Sequence, residues 1–106
     1  MKRTRAARGR GIPETLLAEM AEALKVLAHP KRLRIVELLD EDAAAPVHRI
    51  VGRLGLPQAS VSHHLNTMRR AALIAAERRG REMWYRVSNP HALTLLNCMR
   101  RKAEAE

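Results

Sequence analysis

Phenylalanine is missing from the 106 residues, and tryptophan and tyrosine occur once each. The core must therefore come from Leu, Ile, Val, Met and Ala, and a hydrophobic content of 46% supplies enough of them. Cys98 is the only thiol, so no intramolecular disulfide can close. No run of about 18 apolar residues is present to span a bilayer, and no apolar stretch of signal length follows the basic N terminus, which makes the cytosol the expected setting. A Gly-rich phosphate loop, an HExxH sequence and a Cys-His pair with an orienting group are all missing, which argues against an enzyme. Ser60, Ser62, His63 and His64 lie close in sequence, but adjacent helical positions splay apart and no carboxylate is near to complete a triad.

Acidic residues are few, 11 against 20 Lys and Arg, which leaves a net charge of +9. That balance favours a polyanionic partner without separating nucleic acid from an anionic membrane. The first eleven residues, MKRTRAARGRG, hold five of the cations and no acid. Residues 1–12 read as a disordered basic tail, able to follow a DNA backbone, to enter a minor groove, or only to add diffuse attraction. Residues 13–106 make one domain, small enough that a second copy would usefully complete its core.

The informative stretch is VHRIVGRLGLPQASVSHHLNTMRRAA, residues 47–72. Val47, Ile50, Val51 and Leu54 form the apolar stripe of one helix, and Gly55-Leu56-Pro57 stops it. Val61, Leu65, Met68 and Ala72 form the stripe of the next, over 58–72. Its far side carries Ala59, His63, Asn66, Thr67 and Arg70, with Ser60 and Ser62 on the flanks. This spacing predicts a helix-turn-helix whose outer face is small and hydrogen-bonding, the kind of surface that enters a major groove. Gln58, Ser60, Ser62, His63 and Asn66 are the base-reading candidates, with Thr67, Arg69 and Arg70 placed for phosphate. The bland alternative is a solvated helix face.

Pro13 and Glu14 suit the start of a first helix, along which Leu16, Leu17, Met20, Ala21, Leu24 and Leu27 recur. So wide a stripe on so small a domain predicts a dimer surface at Leu16, Leu17, Met20 and Leu24. His29-Pro30 breaks that helix, and a second runs from Lys31 to Leu39, with Lys31 and Arg32 placed for phosphate. Residues 40–46, acidic at their start, read as a connecting segment. Leu73–Arg78 and Met83–Val87 flank Arg79-Gly80-Arg81 as a β-hairpin with Arg78, Arg79 and Arg81 at the tip. A last helix opens at Pro90, and its Leu93, Leu96 and Met99 complete the expected dimer surface against the partner's first helix.

LKVLAHPKRLRIVELL at 24–39, LGLPQASVSHHLNTMRRAALI at 54–74 and RRGREMWYRVS at 78–88 resemble the arsenic-repressor (ArsR) family of bacterial winged-helix regulators over about four-fifths of the chain. The resemblance implies a repressor that leaves its operator on a signal. It also allows a check of the family's metal sites. The Cys-x-Cys-x-x-Cys pattern falls on Pro46, His48 and Val51, and the site at the last helix falls on Asn89, His91, Lys102 and Ala105, leaving one ligand in each. No metal and no cofactor are expected. Cys98 is expected to be a small buried residue, with thiol sensing as the alternative. His29, His48 and His64 are given capping, surface or boundary-packing roles, and His91 is left open.

The expected protein is mainly α with a two-stranded β-wing, a winged helix-turn-helix of about five helices plus a hairpin. Its expected partners are double-stranded DNA and a second copy of itself, with no membrane and an unidentified effector. A protein-interaction module is the reading of a different class.

Overall fold

Proline sets the start of most helices in this chain. A computed structural model describes residues 11–106, so residues 1–10 of the expected tail lie outside it. Pro13 precedes α1 (Glu14–Leu27), which has an acid in its first turn and Lys25 in its last, both favourable to the helix dipole. His29 is extended and its ring accepts the backbone N–H of Lys31 at 3.2 Å, capping α2 (Pro30–Asp42), where Pro occupies the first position and loses no bond. The acidic residues expected in a connecting segment are instead the last turn of α2, which ends only at Ala43, in the left-handed region at φ 67°. Then follow β1 (Ala45–Pro46), α3 (Val47–Leu54), α4 (Gln58–Arg70), β2 (Ile74–Arg79), β3 (Glu82–Val87) and α5 (Pro90–Ala105), capped by the Asn89 side chain.

The expected wing has two strands; the sheet has three, antiparallel, in the order β1-β3-β2. Ala45 and Pro46 pair with Tyr85 and Trp84. Two residues, one of them proline, carry no alternation to read, and proline is admitted because β1 is an edge. The hairpin runs from Ile74↔Val87 to Arg79↔Glu82, so Arg79 belongs to the strand and Gly80, at φ 63°, makes the turn. The N–H groups of Ser88 and Asn89 donate to Leu73 O (3.1 and 3.3 Å), which closes the hairpin's base beside the start of α5.

Ile35, Leu39, Ile50, Leu65, Met68, Leu73 and Ile74 are fully buried, with Leu27, Val61, Tyr85, Ala92 and Leu96 around them. The core thus lies under α4 and gathers one face of every other helix. Among the described residues no charged or polar side chain is buried. One stripe position fails. Ala72 is exposed in a left-handed turn at φ 59°, because α4 ends at Arg70 so that Leu73 and Ile74 can enter the sheet.

α1 departs from the rest of the fold. Leu27 is its only buried residue, while Ile12, Leu16, Leu17 and Leu24 keep 63, 42, 46 and 50% of their surface. The radius of gyration is 16.3 Å. A compact domain of this length would have about 13 Å. The exposed first turns of α1 and the exposed last turn of α5 both reach beyond the core.

Candidate nucleic-acid interface

The bend between α3 and α4 depends on Gly55. It caps α3 at φ 67°, and its N–H donates to Val51 O at 2.9 Å. A Cβ there would meet nothing within 4 Å, so the glycine answers to the backbone angle and not to crowding. Pro57 then stands at the head of α4 and accepts the N–H of Val61 at 3.1 Å. With Val61, Leu65 and Met68 held down by the core, the opposite side is fixed by the 3.6-residue period.

On that side Gln58, His63, Asn66, Arg69 and Arg70 are exposed, and Ser60, Ser62 and Thr67 are half-buried at its edges. The Thr67 hydroxyl donates to His63 O at 2.9 Å, and Arg69 reaches Asn66 Oδ1 at 3.5 Å. Amide, hydroxyl and imidazole groups on one helix face can donate to and accept from base edges, and the arginines at its C-terminal end suit phosphate.

Arg78, Arg79 and Arg81 are exposed on the wing. They are not equivalent. Arg79 pairs with Glu77 at 3.3 Å and its guanidinium lies 4.5 Å from the centre of the Trp84 ring, which Arg49 approaches at 5.8 Å from α3. Arg78 and Arg81 have no ion pair among the described residues, and the same holds for Lys31, Arg69 and Arg70. By contrast Arg34, Arg49, Arg53 and Arg100 are paired with Glu37, Asp42, Glu41 and Asp40 respectively.

Arg32 does not sit where a phosphate ligand would. It is half-buried, donating from Nε to His64 Nδ1 at 3.0 Å and from Nη1 to Val26 O at 3.1 Å. Sequence reasoning missed this contact because its partners are six and 32 residues away. His64 holds its proton less readily than a free imidazole, first because it is partly buried and then because His29, Arg32 and His63 surround it.

Of the expected dimer residues, Leu16, Leu17 and Leu24 are open and Met20, Leu93 and Met99 are half-buried. Leu96 is a correction: at 4% exposed it belongs to the subunit's own core. Cys98 is another, exposed and not buried, because it lies about 200° around α5 from Leu96, on the side away from the core. A groove of about 300 Å³ between α2 and α5 is lined by Pro30, Leu33, Leu96 and Met99, with Arg34 and Arg100 among its charged residues. His48 lies 2.7 Å from Glu82, and among the described residues no three His, Cys, Asp or Glu groups gather as for a metal ion. Among the described residues no helix is long and apolar enough to cross a membrane.

A bent pair of helices with a polar outer face, backed by a helical core and flanked by a hairpin, defines a winged helix-turn-helix domain. A helix-turn-helix domain family model matches residues 27–76. The transcriptional repressor PagR of Bacillus anthracis is 43% identical over 70% of this chain and 74% of its own length. Its crystal structure superposes with a TM-score of 0.77 at 37% identity, covering 82% of this chain and 99% of that one. The transcriptional repressor SmtB of Mycobacterium tuberculosis is 39% identical over 74% of this chain and 58% of its own. A Mycobacterium bovis fragment, the homodimeric winged helix-turn-helix DNA-binding domain of Mb0332, described as a possible ArsR-family transcriptional regulator, gives a TM-score of 0.76 at 26% identity over 90% of both chains. The chain belongs to the ArsR family of DNA-binding transcriptional regulators.

Proposed function

We propose that the protein is a homodimeric repressor that binds a pseudo-palindromic operator and reads it through Gln58, Ser60, Ser62, His63 and Asn66. Lys31, Thr67, Arg69, Arg70, Arg78 and Arg81 hold phosphate, and Arg79 does so from its place on Trp84. The observation that carries this reading is the uncharged hydrogen-bonding face of α4, with exposed cations free of ion pairs at its end and on the wing. The open leucines of α1 supply the second half: an amphipathic helix of 14 residues is marginal in water unless its apolar side is covered. A second copy covers it with α5 and the α2/α5 groove, and two reading helices then meet successive major grooves about 34 Å apart. Neither family metal pattern takes part in this reading, since Pro46 and Val51 in one and Lys102 and Ala105 in the other supply no ligand.

Selection of bound fragments from random duplex DNA tests the reading and yields the operator. Ser62→Ala and His63→Ala are each expected to cost about 1 to 3 kcal/mol of discrimination between selected and random duplex. Equal weakening on both duplexes would make these residues positioning groups only, and binding to no duplex at low salt would favour a protein-interaction module. The exposure of Cys98 favours one further reading, release of DNA when its thiol is oxidised or persulfidated. Mass analysis after peroxide or persulfide treatment, paired with a binding assay, decides it.

A further inference from the structure

Three elements meet at Arg32. Its side chain, in the first turn of α2, bonds His64 on α4 through Nε and the Val26 carbonyl in the last turn of α1 through Nη1. The His64 ring meets that of His29 edge to face, 4.6 Å between centroids, and that of His63 at 5.9 Å. His29 in turn accepts the Lys31 N–H and so caps the same helix that carries Arg32. His64 Nδ1 accepts from Arg32, which puts that ring's proton on Nε2 and keeps it neutral, the state its burial favours.

The contacts that hold α4 to the core, Val61, Leu65 and Met68, are aliphatic. Dispersion and burial favour contact without a set direction, so a directional bond adds an angular constraint that the packing alone does not specify. A guanidinium fork is planar and its bonds have set directions. Arg32 has no carboxylate partner among the described residues, so neutralising a charge does not account for its half-buried place. We propose that Arg32 and His64, steadied by His29, are positioning residues that fix the rotation of α4 relative to α1 and α2 and thereby aim His63 and Asn66 at base edges.

The inference rests on DNA reading by α4, and it adds a consequence. A proton on His64 Nδ1 would face the Arg32 Nε–H donor to donor and break the joint. The groups around His64 are His29 from the α1–α2 turn, Arg32 from α2 and His63 from α4, all basic, with no acid to offset that proton. Burial and these neighbours already disfavour the charged ring, so the joint is whole at neutral pH and is lost as pH falls below the ordinary imidazole range.

The test uses the full chain, a duplex selected from a random pool, and a random-sequence competitor. His64→Leu removes the acceptor, whereas His64→Asn keeps one near the place of Nδ1. His64→Leu is expected to lower the ratio of selected to random affinity by about tenfold with random-duplex affinity kept, and His64→Asn to stay within about threefold of the parent. The parent's ratio should fall more steeply between about pH 7.5 and about pH 5.5 than that of His64→Asn; His63 is common to both, so their difference isolates His64. Arg32→Lys, which keeps the charge and loses the fork, should lose discrimination too, and covers the case in which His64→Leu melts at assay temperature. Unchanged discrimination in His64→Leu or, where that variant is unfolded, in Arg32→Lys would overturn the joint while leaving DNA reading in place. A parent that binds no duplex would overturn both.

Discussion

Replacing Leu17 and Leu24 by serine should separate the two subunits while leaving each one folded. Leu16, Leu17 and Leu24 keep 42, 46 and 50% of their surface, and none of them packs against the core of its own subunit. Full burial of a leucine is worth about 1.5 to 3 kcal/mol, so covering the remaining half of each recovers about 1 kcal/mol. Each substitution acts twice in a symmetric pair. A single change therefore costs about 2 kcal/mol, or about thirtyfold in the dimer dissociation constant. Leu17→Ser with Leu24→Ser costs about 4 kcal/mol, or about a thousandfold. Sedimentation equilibrium over a dilution series reads the constant directly, and the far-ultraviolet spectrum of the separated subunit should lose only the signal of a fraying α1. A parent that sediments at 12.0 kDa at every concentration, or a double variant that dimerises as the parent does, would refute the assignment of this surface.

Three further outcomes follow from the geometry. Arg78→Ala and Arg81→Ala should each lower the slope of log affinity against log salt by about 0.9, with a smaller change for Arg79→Ala, whose charge is shared with Glu77; titration with potassium chloride checks this, and an unaltered slope would remove the wing from the interface. Gly55→Ala places a side chain at φ 67° in open space, so it should cost about 1 to 2 kcal/mol of folding stability from the backbone alone, read as a fall in urea midpoint with an unchanged slope. Ala72→Gly, at φ 59°, should gain up to about 1 kcal/mol in the same assay, and a loss there would mean that the turn is not strained.

The parts of this fold that were legible in the sequence are those whose period is set by burial. The stripes of α3 and α4 repeat at helical spacing because one side of each faces the core, and the reading face follows from the stripe without any tertiary knowledge. The hairpin was equally open, since Gly80 lies between two short runs, the second of which alternates Met83, Tyr85 and Val87 to one side. What escaped was set by contact between distant segments. β1 exists only because β3 offers it a partner, and the stripe of α4 stops at Met68 because the chain must turn at Ala72 to enter the sheet. Leu93, Leu96 and Met99 share one helical side, yet Leu96 alone is fully enclosed, because periodicity finds the apolar side of α5 and not which part of it the subunit covers for itself.

Composition shows how much positive charge the chain holds, but pairing decides which of it a duplex can use. Arg49 and Arg53 of α3 are turned back onto Asp42 and Glu41 at the end of α2, so the helix ahead of the bend offers little net attraction. Arg100 of α5 is likewise spent on Asp40. Lys31, Arg69, Arg70, Arg78 and Arg81 keep their charge outward, at the start of α2, the end of α4 and the wing. A polyanion near this surface is therefore drawn toward α4 and the hairpin, and the paired charges between α2 and α3 add little pull of their own. In the proposed function, long-range attraction orients the approach before any base is touched, and what remains for Gln58, Ser62, His63 and Asn66 is the short-range comparison of one sequence with another. That comparison has value only if the helix bearing them does not rotate, which is why a half-buried arginine bonded to a neutral histidine belongs to the same device as the cations that face solvent.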